Sequence, residues 1–144
     1  MAEIRPDIHL VIASEQLAVR QALAQLLADP GMRDLRCDLR GRIEIVLAEV
    51  LNNIVEHAYA ERQGEITIEV SKGPAGIGCR ILDTGAAMPG LALPEGTLAP
   101  HDPDDLPEGG FGWFLIRSLT EDLRYRRQSG MNELSFRLPE TMCS

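Results

Sequence analysis

The 144-residue chain is long enough for one domain with a sizeable core and too short for two comfortable ones. Its formal net charge of -8 disfavours a DNA or RNA partner, because phosphate neutralisation calls for a basic surface. Aromatic residues make up only 4%, so the core has to be mostly Leu, Ile, Val and Ala, and no apolar run approaches the length that spans a bilayer. The opening "MAEIRPDIHL" lacks the layout of a signal peptide. Cys37, Cys79 and Cys143 are far apart and odd in number, which argues against a disulfide framework or a zinc site and fits a reducing cytoplasm.

In chain order, "DIHLVIAS" alternates Ile8, Leu10 and Ile12 and predicts a strand. Ser14 is placed to cap the following helix, with Glu15 in its first turn where the helix dipole favours an acid. "EQLAVRQALAQLLA" continues as helix until "DPG" at 29–31 stops it. A second helix is expected from about 38 to 60, with Ile43, Leu47, Val50 and Ile54 facing the core. "GEITIEVSKG" and "GIGCRILD" alternate as strands and should pair as a hairpin across "GPAG". Residues 84–110 are rich in Pro, Gly and acids without hydrophobic periodicity, the mark of a lid or a disordered segment. "FGWFLIRSLTEDL" returns to helix, and "LRYRRQSGMNELSFRL" predicts a closing hairpin that sets Leu123 and Tyr125 against Leu134, Phe136 and Leu138. The order β-α-α-β-β-lid-α-β-β predicts an α/β two-layer sandwich: a mixed, mostly antiparallel sheet covered on one face by three helices.

Three short stretches carry candidate chemistry. In "AEVLNNIVEHAY", Glu49 and Asn53 fall on the border of the apolar stripe, about 40° apart round the helix. A carboxylate and an amide oxygen there suit a hydroxyl awaiting deprotonation and a hydrated magnesium ion, although the spacing alone also describes two solvated residues. His57 falls inside the stripe and is expected to be a packed structural histidine. In "ILDTGAAMPG", Asp83 ends an apolar strand where it could accept from an exocyclic amine, and Gly85 would let the backbone approach a flat ring; the same pattern also describes many turns. In "EGGFGWFLI", glycines precede a helix whose N-terminus favours an anion, or they form a simple hinge.

Taken in order, "E-x-x-x-N-x-x-x-H-A", "D-x-G" and "G-G-x-G-x-x-L-I" resemble the N, G1 and G2 boxes of the Bergerat (GHKL) ATP-binding superfamily. The stretches "EVLNNIVEHAY" and "EGGFGWFLIRSLTEDL" look most like the bacterial anti-sigma-factor serine/threonine protein kinases, and the resemblance covers about residues 8–138. It implies a single histidine-kinase-like ATPase domain over 1–144 with an ATP lid at about 84–110. It also implies ATP and Mg²⁺ as cofactors. Glu49 would be the general base for a substrate serine, and Asn53 the magnesium ligand. Asp83 would bind the adenine amino group, with Gly85 beside it, and Gly110 and Gly112 would contact phosphates. The implied partners are an anti-anti-sigma-like protein bearing the serine and a sigma factor or comparable regulator, often with a homodimeric kinase. A nucleotide-binding interaction module without kinase activity is the alternative.

The chain departs from that pattern in two places. Ala87 stands where the superfamily often has a further glycine, which narrows backbone freedom. The lid contains no Lys or Arg but does contain Glu95, Asp102, Asp104, Asp105 and Glu108, so it offers no cation to a γ-phosphate. Arg117 is a candidate substitute, though a surface salt bridge is the expected role. Arg124, Arg126 and Arg127 read as a solvated hairpin face or, more sharply, a docking patch for an acidic partner. Trp113 is expected to pack under the lid rather than stack on adenine. A histidine-kinase catalytic domain is disfavoured because only His9, in a strand, precedes the N box, and a gyrase-like ATPase because no transducer follows Leu138.

Overall fold

A computed structural model of the chain describes residues 6–59, 63–94 and 110–140. Strand β1 (Ile8–Ala13) is followed by α1 (Gln16–Ala28), the single turn α2 (Pro30–Arg33) and α3 (Cys37–Asn53). A wider π turn, Ile54–Ala58, extends α3 before the hairpin β2 (Glu65–Gly73) and β3 (Gly76–Asp83). A 3₁₀ turn (Pro89–Leu91), α4 (Gly110–Leu119) and the hairpin β4 (Glu121–Gln128) and β5 (Met131–Pro139) complete the described elements. The strands form one sheet in the order β1-β2-β3-β5-β4, and every described pairing is antiparallel.

The alternating apolar residues set which face is buried. Ile66, Ile68 and Val70 of β2, Ile77, Cys79 and Ile81 of β3, and Leu134, Phe136 and Leu138 of β5 all point into the core. Leu39, Ile43, Val46, Leu47, Val50 and Leu51 of α3 are each no more than 2% exposed and form the central ridge against that face. Val19, Ala22 and Leu26 of α1 and Trp113 and Ile116 of α4 extend the same cluster. This is the expected two-layer α/β sandwich, with the described helices on one face of the sheet. Burial inside it pushes the Cys79 thiol up to about 12, so that side chain is a small core hydrophobe.

Turn chemistry fixes the register of both hairpins. Gly76 adopts φ +131, and a Cβ there would lie 2.1 Å from the Leu138 carbonyl oxygen, so only glycine lets β3 lie against β5 at that point. In the closing hairpin Ser129 and Gly130 both take positive φ, 54 and 75, which matches the twist of the paired strands.

Two local expectations are corrected. Ser14 does not cap α1; its Oγ accepts from the Gly64 N–H at 2.9 Å, and Glu15 occupies the cap position without a side-chain cap bond. The hydroxyl is thus used to join the end of β1 to the start of β2. The second helix is α-helical only to Asn53, and in the π turn beyond it Ile54 faces the core as expected, half-buried and packed against the cluster.

The uncovered face of the sheet is organised by charge. His9 on β1 lies 3.9 Å from Glu69 on β2, and Glu69 pairs with Arg80 on β3 at 3.1 Å. Arg80 also pairs with Glu133 on β5, which pairs with Arg126 on β4, so charges of alternating sign cross β2, β3, β5 and β4.

A cleft between the N-box helix and the end of the third strand

The end of α3, the end of β3, the strap after it and the start of α4 enclose a cleft of about 620 Å³, a volume suited to a small organic ligand. Asn53 and His57 line one side of it, and Asp83, Ala87 and Met88 line the other. Trp113, 7% exposed, belongs to the core and also forms part of the cleft wall.

Asp83 is the last residue of β3 and is only 5% exposed. Its Oδ1 accepts from the Gly85 N–H at 2.9 Å and from Asn132 Nδ2 at 2.8 Å. Oδ2 has no hydrogen-bond partner among the described residues, so one acceptor is left for a ligand N–H. Burial pushes the carboxyl above its ordinary value, and the bonds from Asn132 and Gly85, with the charge of Arg127, oppose that shift.

Gly85 is required by the protein itself. A Cβ there would lie 2.5 Å from the Ala58 carbonyl oxygen, and the neighbouring Ala86 N–H donates to that same oxygen at 2.8 Å. The strap after β3 is therefore stitched to the π turn. Tyr59 adds a second stitch, donating its hydroxyl to Glu65 O and accepting the Thr84 N–H, each at 2.8 Å.

Asn53 projects from the last turn of α3 into the cleft, and its Nδ2 is buried without a partner. An orphaned buried amide is costly, so this end of the side chain is set to meet a group from outside the chain. The nitrogen suits a phosphate oxygen, and the amide oxygen suits a hydrated magnesium ion. Glu49, one turn earlier, does not line the cleft. Its carboxylate lies against the first turn of α4, where a Cβ on Gly112 would come within 2.7 Å of Oε2 and 3.8 Å of Asn53 Nδ2. Gly112 is buried against this pair, and Gly110 begins α4. The structure thus brings Glu49, Asn53 and Gly112 together, and Asp83 together with Gly85, with Asn53 and Asp83 both lining the cleft.

The chain matches the family model of the histidine kinase-like ATPase domain over residues 12–138. It belongs to that family. Serine-protein kinases RsbW of Bacillus mycoides (strain KBAB4) and Bacillus cereus (strain G9842) are each 32% identical to it over 96 residues, 64% of this chain and 59% of each relative. The matched region thus spans less than two thirds of those relatives' length.

Within this histidine kinase-like ATPase domain several expectations change. His57 is exposed and lines the cleft; it is not a packed core histidine. The reason is the π turn, which departs from 100° per residue just where the α-helical projection was applied. Arg117 forms no ion pair among the described residues, and its Nε donates instead to the Pro94 carbonyl at 2.8 Å. Arg126 lies on the uncovered sheet face, whereas Arg127 turns to the cleft side and donates to Gly85 O at 2.9 Å. The acidic lid residues Glu95, Asp102, Asp104, Asp105 and Glu108 lie outside the described residues. No helix among the described residues is long and apolar enough to cross a membrane.

Sequence reasoning missed Asn132. It lies at an inward position of β5, in register with Asp83, in an alternation otherwise filled by Leu134, Phe136 and Leu138. A polar residue at the head of an apolar strand face was the available signal.

Proposed function

We propose that this domain is an ATP-dependent serine protein kinase and a partner-switching regulator, phosphorylating a serine of an anti-anti-sigma-like protein and holding a sigma factor or comparable regulator. The observation that carries the reading is the cleft itself, lined both by Asp83, whose Oδ2 is left without a partner among the described residues, and by Asn53, whose amide nitrogen is buried and unpaired. The likeness to serine-protein kinases RsbW supports the reaction type. The proposal extends to a single domain with a lid at 84–110, acting in the cytoplasm as a homodimer without contacting nucleic acid or membrane.

The donor set fits a magnesium–nucleotide complex. Mg²⁺-bound ATP supplies the phosphoryl group and the charge neutralisation on which phosphoryl transfer mainly depends. Asp83 accepts from the adenine amino group, with Gly85 holding the strap beside it. Asn53 provides the magnesium ligand, and the backbone N–H groups of Gly110 and Gly112 at the start of α4 face the phosphates, where the helix dipole favours negative charge. Glu49 orients the serine hydroxyl and takes its proton.

The position of Glu49, against Gly112 and outside the cleft lining, favours a second reading: a nucleotide-dependent binding module that transfers nothing. Transfer of label from γ-labelled ATP to a purified anti-anti-sigma partner separates the two. The kinase reading expects phosphoserine in the partner and a loss of about a hundredfold or more in rate for Glu49→Ala. Undiminished transfer by Glu49→Ala removes Glu49 as the base. Nucleotide-dependent partner binding with no phosphoserine selects the second reading.

A further inference from the structure

Asp83 ends a strand, and a carboxylate at a strand end has several rotamers and two equivalent oxygens. An acceptor that discriminates between bases has to be held still. The side chain that holds it comes from the neighbouring strand. Asn132, 5% exposed, donates Nδ2 to Asp83 Oδ1 at 2.8 Å and to Ala86 O at 2.9 Å, with Gly85 O at 3.4 Å. Its Oδ1 accepts from the Tyr125 hydroxyl at 2.6 Å and from Arg127 Nη1 at 2.9 Å. Every group facing Nδ2 is an acceptor and every group facing Oδ1 is a donor, so the amide has one stable orientation.

The two donors are fixed in turn. The Tyr125 hydroxyl accepts the Met88 N–H at 3.0 Å, which leaves its own proton for Asn132. Arg127 Nη1 also reaches Gly85 O at 2.9 Å. One closed hydrogen-bond network thus joins the closing hairpin to Asp83 and to the strap at Gly85, Ala86 and Met88, all of which border the cleft or lie beside it. Because the network engages Asp83 through Oδ1, it leaves Oδ2 as a fixed lone acceptor.

We propose that Asn132, oriented by Tyr125 and Arg127, is a positioning residue that fixes Asp83 and thereby makes the site selective for a purine carrying an exocyclic amine over one carrying a carbonyl at the same position. This rests on the nucleotide-binding reading above. An amine donates to the held acceptor, whereas a carbonyl would set acceptor against acceptor, and a site built around one buried polar contact discriminates strongly against its absence. If Asp83 were free to rotate away, the penalty for the carbonyl would fall while other contacts to the nucleotide remained.

Calorimetric titration with ATP and with inosine triphosphate, each with Mg²⁺, tests it through the ratio of the two affinities. The wild type is expected to prefer ATP by at least tenfold, and Asn132→Ala to lose most of that preference, chiefly by weaker ATP binding. Tyr125→Phe keeps the ring and removes one donor, and is expected to lower the ratio about two- to threefold while remaining folded by circular dichroism. A merely structural role for Asn132 would weaken both nucleotides alike and leave the ratio unchanged; that result in folded Asn132→Ala overturns the proposal. If Asn132→Ala does not fold, an unchanged ratio in Tyr125→Phe overturns it. A wild type that binds ATP without preferring it over inosine triphosphate also overturns it, with nucleotide binding intact. A wild type that binds neither nucleotide removes the reading on which it rests.

Discussion

At the scale of single residues, two glycines beside the cleft look alike in sequence and are glycine for different reasons. At Gly85 an added methyl meets the Ala58 backbone, 2.5 Å from its carbonyl oxygen and 2.8 Å from its carbonyl carbon, and backbone cannot step aside cheaply. At Gly112 the nearest atom is the tip of a side chain, Glu49 Oε2 at 2.7 Å. Gly85→Ala is therefore expected to destabilise the fold by about 1–3 kcal/mol. Gly112→Ala should change stability by less than about 1 kcal/mol while displacing Glu49, because a rotamer shift relieves the clash. Chemical denaturation with phosphotransfer on the same samples checks the pair. If Gly112→Ala is the less stable variant, or transfers phosphate at the wild-type rate, the account of Glu49 resting on that glycine is wrong.

At the scale of elements, period-two alternation marked all five strands, and the heptad-like stripe of α3 marked its buried ridge. Both patterns are imposed by burial and survive any detail of the site. The reading failed where local geometry left its regular period. His57 was misplaced because the π turn at Ile54–Ala58 rotates it out of the stripe. Ser14 was misread because a hydroxyl before a helix can as well hold a distant strand, here through Gly64. Asn132 was passed over because its partners Asp83, Tyr125 and Arg127 lie on two other strands, β3 and β4, whose register the sequence does not print. Glu49, Asn53 and Asp83 could be singled out as candidates because each lies at, or within about a turn of, the end of a strongly patterned element. The charged sheet face gives this scale its prediction. Burial pushes the Glu133 carboxyl up, but hydrogen bonds from Arg126 and Arg80 and their charges outweigh it and hold it below its ordinary value. A depressed folded value means stability that is present above the unfolded value and lost as pH falls through the folded one. Glu133→Gln should thus be less stable than the wild type at neutral pH, by about 1 kcal/mol, with the gap closing in acid and in molar salt. A gap that persists unchanged at low pH would show that packing, not charge, is what Glu133 contributes.

At the scale of the whole molecule, the candidate site lies along the edge of the core, and Val50, Trp113 and Leu134 belong to both. The core lies between the sheet and α1, α3 and α4, while Asp83 sits at the end of β3, where the sheet gives way to the cleft. An ionised carboxylate there costs the fold stability, because burial disfavours its charge. Its folded value is raised, so the stability associated with it is present below the ordinary carboxylate range and lost as pH rises through the folded value. Asp83→Asn removes that charge. If its amide oxygen takes the place of Oδ1, the bonds from Gly85 N–H and Asn132 Nδ2 are kept, and the amide nitrogen then stands where the free acceptor was. The variant should be at least as stable as the wild type near pH 7, with the difference shrinking toward about pH 3. Its response to nucleotide should be the reverse. Saturation at about a hundred times Kd adds about 2.7 kcal/mol to a protein that binds only when folded, a rise of roughly 5–10 °C in Tm for a chain of this size. Thermal unfolding with and without MgATP should show that rise in the wild type and none in Asp83→Asn, because a donor would then face the adenine amine. A variant that is markedly less stable at neutral pH would make Asp83 a structural residue, and one that keeps the full rise would move base recognition elsewhere in the cleft.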